Sequence, residues 1–328
     1  MRLLNVDYLR GFAAFAVLFF HTTNTVENYP TISIIRNIGE FGRLGVDIFF
    51  IISGFIIPYS MKISEYRFGS DTGIFFAKRL ARVEPTYLAS IIFTVLMGCL
   101  VNWYYQKELY AYSIGQILSH LFYLTNFLGY EWINPVYWTL AIEFQFYITL
   151  ALIYPLLFHS IWRNILFLLS AIATLTMNEL FIGTLIEYIP FFAIGVIACL
   201  LKFEALIFKR ALVFLGVFFL LILIKFGLTA LLFSLLTFVS LISSVNIKQF
   251  RLLRFLGLIS YSIYLFHYPI VEKLVRIGKI AGYSAWSQLI VLFISIALSI
   301  LVAWVVFIFI ERPSLKLAGS LKYISKKR

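Results

Sequence analysis

Charge is scarce in this chain of 328 residues: only 13% are charged, and Asp and Glu together number 15. Soluble domains carry about 25% charged and about 45–50% apolar residues. Here the apolar share is 62% and the mean hydropathy is +0.95. A soluble globule cannot hide that excess, and a disordered chain does not contain it. Cysteine is nearly absent: Cys99 and Cys199 both fall in apolar runs, so neither a disulfide framework nor a metal pair is suggested. Glycine shows no collagen period, no Gly-x-Ser-x-Gly elbow occurs, and no repeat or low-complexity stretch interrupts the chain. What survives is an all-α, polytopic integral membrane bundle.

A crossing helix needs roughly 20 mostly apolar residues. The pattern predicts ten: Leu9–Asn24, Leu44–Met61, Thr86–Tyr104, Val136–Phe158, Asn164–Met177, Gly183–Leu201, Ala211–Ile224, Leu228–Val245, Phe255–Glu272 and Ser287–Ile310. Ile114–Tyr130 is apolar too, but Gln116, His120 and Asn126 make it an interfacial or re-entrant piece. Asp7 and the lack of a small-x-small site argue against a cleaved signal peptide. With both termini cytoplasmic, 20 of the 27 basic residues lie inside, as the positive-inside rule requires. That placement explains most of the net charge of +12, including Lys78-Arg79-Leu80-Ala81-Arg82 and Lys326-Lys327-Arg328 beside anionic head groups. Nucleic acid is not needed as a partner.

Ionisable groups inside a span are costly and point to function. Arg10 and His21 are 11 residues apart, close to three helical turns, so they share a face about 16 Å apart along the axis. Arg10 alone suits snorkelling to head groups; with His21 and Asp7 it forms a polar stripe. Asp47, in Gly45–Phe55, is either a solvated interfacial carboxylate or the partner that orients His21. Thr139, Glu143 and Tyr147 recur every four residues and make one polar face, which serves either a site or an interhelix hydrogen bond. Arg79 and Arg82 are either topological charge or a planar-donor clamp for phosphates. Tyr264 and His267, in Ser260–Pro269, place a hydroxyl and an imidazole in the ninth span, where an aromatic belt is the plainer reading of the tyrosines.

These blocks resemble acyltransferase family 3, membrane acyltransferases that O-acylate bacterial surface glycans. The match runs from Asp7-Tyr8-Leu9-Arg10-Gly11 to Glu311-Arg312-Pro313-Ser314. It takes in Arg10 and His21, the Gly45–Phe55 block, Arg79 and Arg82, the Trp138–Tyr147 block and Tyr261–His267. The resemblance implies about ten spans in the bacterial cytoplasmic membrane, a membrane acyltransferase domain over 1–310 and a short basic cytoplasmic tail over 311–328. It implies an acyl-CoA donor, most simply acetyl-CoA, as co-substrate rather than bound cofactor, and a glycan or lipid-linked saccharide acceptor. Many relatives add an extracytoplasmic esterase-like domain after the tenth span; the short tail here leaves a single-step or partner-assisted transfer as the expectation. The expected roles are His21 as base, oriented by Asp47 or Glu143; Arg10, Arg79 and Arg82 on the donor; and Tyr147, Tyr264 and His267 along a channel or on the acceptor side. No metal is expected. The alternatives are a transporter of an acyl anion or lipid-linked sugar, and a non-catalytic subunit of a glycan-assembly complex.

Overall fold

Helices follow the apolar runs. The computed structural model describes residues 4–25, 32–104, 112–176, 181–243, 250–281 and 284–324, and among these no strand occurs. The elements are α1 (Leu4–Asn24), α2 (Ser33–Glu40), α3 (Gly45–Ile63), α4 (Thr72–Tyr104), α5 (Ile114–Leu121), α6 (Trp138–Leu157) and α7 (Ser160–Thr176). They continue with α8 (Leu185–Lys202), α9 (Phe208–Ile242), α10 (Arg251–Leu258), α11 (Ser260–Ala281), α12 (Ala285–Val306) and α13 (Arg312–Ser320).

Among the described residues, 6 stretches are long and apolar enough to cross a membrane: Ser33–Ile63, Thr72–Tyr104, Pro135–Leu157, Leu185–Lys202, Phe208–Ile242 and Ala285–Ser320. The chain is a multi-pass membrane protein. Ten crossings were expected, and the shortfall has physical causes. Polar residues dilute α1 (Asp7, Arg10, His21) and α11 (Glu272, Lys273, Arg276), and α7 has only 17 residues. The long α9 is two helices joined at Gly227, whose φ of 87° suits a residue without Cβ; the seventh and eighth expected stretches divide at that point. Met177, Val245 and Lys326-Lys327-Arg328 lie outside the described residues.

Ile114–Tyr130 contributes only the short α5, followed by turns. The expected tail contains α13, which packs on α4; Leu321 O accepts from Lys78 Nζ, and Ile324 N–H donates to Asp71 at 2.8 Å.

Close helix approach builds the centre. Gly54 of α3 and Gly195 of α8 face each other so tightly that a Cβ on either would overlap backbone, at Phe192 O or Ile51 O. Small residues let membrane helices meet at this range, where the lipid itself supplies no hydrophobic drive. The polar helix α1 packs against α3, α10 and α11, which shields its charged side chains from lipid. Between α12 and α13 the chain makes a π-helical turn, Phe307–Glu311, a widening often found at functional sites.

Candidate functional site

Two cavities open along α1. The first, about 950 Å³, gathers Arg10, Arg79, Arg82, Glu143, Tyr147, Tyr261, Tyr264 and Glu311. Three guanidinium groups meet two carboxylates there, so the cavity carries an excess of cations held in planar-donor form. Arg79 and Arg82 are three residues apart on α4, which sets them on neighbouring turns. The helix begins at Thr72, well before the expected Thr86, so both arginines are fixed by regular backbone. Arg79 Nη2 donates to Ser60 Oγ at 3.0 Å, and its guanidinium lies over Phe75 and Tyr147 at 5.3 and 5.5 Å.

Thr139, Glu143 and Tyr147 form the expected polar face of α6, and all three line this first cavity. Glu143 accepts from Tyr147 OH at 2.7 Å and from Ser53 Oγ at 2.9 Å. It is therefore not the group that orients His21, because its turn of α6 faces the arginines. Tyr147, expected along the channel or on the acceptor side, sits with the arginines as well.

The second cavity, about 830 Å³, is lined by His21, Asp47, Arg43, Trp138, Tyr188 and Phe226 among others. His21 and Asp47 thus share one space, as expected of an orienting pair, although no hydrogen bond joins them among the described residues. Thr25 Oγ1 is 3.5 Å from His21 Nδ1. The His21 ring lies 5.1 Å from that of His267 and 5.1 Å from that of Tyr268. His267 is fully buried behind it, with Nδ1 at 2.9 Å from Ile263 O and Nε2 unpartnered among the described residues. It borders neither of these two cavities, so it backs His21 rather than lining a channel. Trp138 and Tyr188 pack at 5.3 Å, and Phe226 continues that wall at 5.8 Å.

Val46 and Tyr264 line both cavities. The Tyr264 hydroxyl is fixed by Thr139 Oγ1 at 2.8 Å and donates to Val136 O at 3.2 Å, while Phe49 meets its ring edge-on at 5.8 Å. A thin wall therefore divides the arginine end of α1 from its histidine end.

Sequence reasoning missed several lining residues. Glu311, nearly fully buried in the π-helical turn, accepts from Ser262 N–H at 3.2 Å and Ser262 Oγ at 2.6 Å and interacts electrostatically with Arg10 and Arg82. Its signals were its place at the polar end of the last apolar run and in the Glu311-Arg312-Pro313-Ser314 block of the family resemblance, neither of which gives it a role in the site. Trp138 opens the Trp138–Tyr147 block without a role of its own, and Tyr188 carries no signal, being one aromatic among many. His120, in the interfacial stretch, is structural: Nε2 accepts from Ile133 N–H at 3.0 Å, so Nδ1 carries the proton and donates to Gln116 O at 2.8 Å. Burial lowers its pKa below the usual histidine value.

Residues 3–308 match the family described as acyltransferase domain. Curated relatives include nodulation protein 10 of Rhizobium leguminosarum bv. viciae, 26% identical over 97% of this chain and 94% of the relative. The O-acetyltransferase OatA of Staphylococcus aureus is 32% identical over 51% of this chain, and a protein of Acidianus two-tailed virus is 30% identical over 57%. The match spans 28% of OatA's length and 49% of the viral relative's. No solved structure matches.

Proposed function

We propose, from the premise that this chain belongs to the acyltransferase family, that it moves an acyl group, most simply acetyl, from acyl-CoA to a sugar hydroxyl of a cell-surface or lipid-linked glycan. The single observation that carries this reading is the division of labour along α1: Arg10 in the cation-rich cavity, His21 in the other, with a thin wall between them. Membership of the acyltransferase family and similarity to the O-acetyltransferase OatA support the reaction class.

The phosphates of CoA belong with Arg79 and Arg82, and Arg10 assists from the facing helix. Planar guanidinium donors suit phosphate oxygens. The pantetheine arm then covers the roughly 16 Å from Arg10 to His21, so the acyl group reaches the second cavity without CoA crossing. The acceptor occupies that cavity, where Trp138 and Tyr188 offer apolar ring faces to a sugar and Asp47 and Arg43 offer polar partners. His21 takes the proton of the acceptor hydroxyl as its oxygen bonds to the thioester carbonyl carbon. The C–S bond breaks, and the CoA thiolate leaves and recovers a proton as free thiol. The products are the sugar ester and CoA.

In this reading ten segments cross the cytoplasmic membrane of a bacterium, both termini are cytoplasmic, and the arginine cavity opens to the cytoplasm where acyl-CoA is found. The 20-to-7 split of basic residues supports that orientation. The test is to supply labelled acetyl-CoA to membranes holding the full chain and to follow label into saccharide and free CoA. Label transfer that is lost in His21→Ala at matched abundance is expected. Full transfer by His21→Ala removes the base, and no transfer by the unaltered protein removes the reading.

A further inference from the structure

Two residues, Val46 and Tyr264, border both cavities and form the wall between them. On α3, Val46 borders both spaces, Asp47 turns to the histidine side and Phe49 to the arginine side. In the turn that leads into α6, Val136 faces the histidine side, and in the first turn of α6 Thr139 faces the arginine side; on α11, Tyr264 borders both. The Tyr264 ring is 93% buried (7% exposed), its hydroxyl is tied at two points to the start of α6, and Phe49 abuts its edge. Burial on all sides and the Phe49 ring against its edge leave that ring no room to swing, with or without its hydroxyl bonds.

We infer that Tyr264 and Val46 select the acyl group by size, admitting acetyl and rejecting longer straight chains. This rests on the acyl-transfer reading above and deepens it. The thioester carbonyl must come within about 3–3.5 Å of the acceptor oxygen held near His21. The thioester is delivered from the arginine side and the acceptor fills the histidine side, so the carbonyl stands at the wall and the acyl carbons must fit between Val46 and Tyr264. A methyl group is the smallest such burden. Each further methylene meets a fixed aromatic ring on one face and a β-branched side chain, stiff at χ1, on the other. An apolar constriction of this kind discriminates about 10-fold or more per methylene in favourable cases.

The experiment compares transfer from labelled acetyl-CoA and butyryl-CoA in membranes that carry the full chain and their own acceptor. The unaltered protein is expected to favour acetyl by at least about 10-fold. Tyr264→Ala is expected to raise the butyryl-to-acetyl ratio about 10-fold, and Val46→Ala, which removes two methyls, about 3-fold. Tyr264→Phe keeps the ring and removes both hydroxyl bonds, so its ratio should stay within about 2-fold of the unaltered protein if ring bulk does the selecting. A Tyr264→Phe ratio equal to that of Tyr264→Ala would overturn selection by size. If Tyr264→Ala is inactive with both donors, Val46→Ala decides: a raised ratio supports the proposal and an unchanged ratio overturns it. Equal use of both donors by the unaltered protein overturns the selection alone, whereas transfer from neither overturns the acyl-transfer reading with it.

Discussion

Helices α1 and α11 differ from α9 and α12 in almost every respect that a membrane imposes. The latter pair are long, apolar and mostly turned outward, with Phe293 66% and Leu236 66% exposed. The former carry Arg10, His21, Tyr264 and His267 and keep those side chains inside the bundle, three of them along the cavities and His267 directly behind His21. Because a charged or titrating group at bilayer depth is costly, the bundle tolerates it only where neighbouring helices replace lipid. The composition that weakens a helix as a candidate span is therefore the composition that marks it as part of the site. Apolarity finds the scaffold, and polarity at spanning depth finds the chemistry.

That contrast is broken most decisively at His21. Loss of a positioned general base costs about 10²–10⁴-fold in rate, so His21→Ala should lower kcat for acyl transfer by at least about 100-fold with the protein's abundance unchanged. A drop below about 5-fold would return His21 to helix packing against Tyr268 and His267. Next in size is Arg79. Its fork is held by Ser60 and two aromatic faces, a geometry that an ammonium does not reproduce. Arg79→Lys should raise KM for acyl-CoA about 10-fold, the worth of roughly one charge-assisted hydrogen bond, with kcat little changed. A lowered kcat at constant KM would place Arg79 in the transition state instead. Glu311→Gln keeps the shape, and an amide oxygen still accepts from Ser262, but it removes the negative charge near Arg10 and Arg82. A change of about 3-fold in donor KM is expected, smaller than at Arg79, because no contact to the donor itself is lost. Isothermal titration with CoA measures both on one scale.

These same residues show how far the chain could be read without coordinates. Arg10 and His21 were legible because a period of 3.6 and a separation of 11 force them onto one face of α1. The α6 stripe was legible for the same reason. What period cannot supply is which neighbour each stripe meets. Glu143 looked like a partner for His21, yet its turn of α6 faces Ser53 and the arginines, a matter of helix rotation and depth that only packing fixes. Gly54 and Gly195 set the α3–α8 approach in the same way, and neither announces its partner in sequence. Glu311 lay in a recognisable block, but its inward turn was not legible, because a π-helical turn, which follows no 3.6 period, carries it to the arginines. Two of the missing crossings, α1 and α11, fail on apolarity because the site helices are the polar ones; the others are the short α7 and the two stretches joined in α9.

The smallest expected effect tests the other half of the contrast. Phe293 lies on α12 with two-thirds of its surface outside the bundle, 66%, which in a bilayer means against acyl tails. Lipid tails are about as apolar as leucine, so Phe293→Leu exchanges one lipid-compatible group for another and vacates no packed space. Substitutions at such positions usually fall within about 0.5 kcal/mol, and transfer activity should stay within about 2-fold. The control lies on the same helix: Ala303 is fully buried, and Ala303→Leu inserts three carbons into a packed interior, for which about 1–3 kcal/mol of destabilisation is expected. Thermal unfolding followed by tryptophan fluorescence in nanodiscs reads both variants. If Phe293→Leu loses as much activity as Arg79→Lys, the outer face of α12 takes part in the reaction, through an acceptor lipid or a partner helix, and the division between apolar scaffold and polar site no longer holds for this bundle.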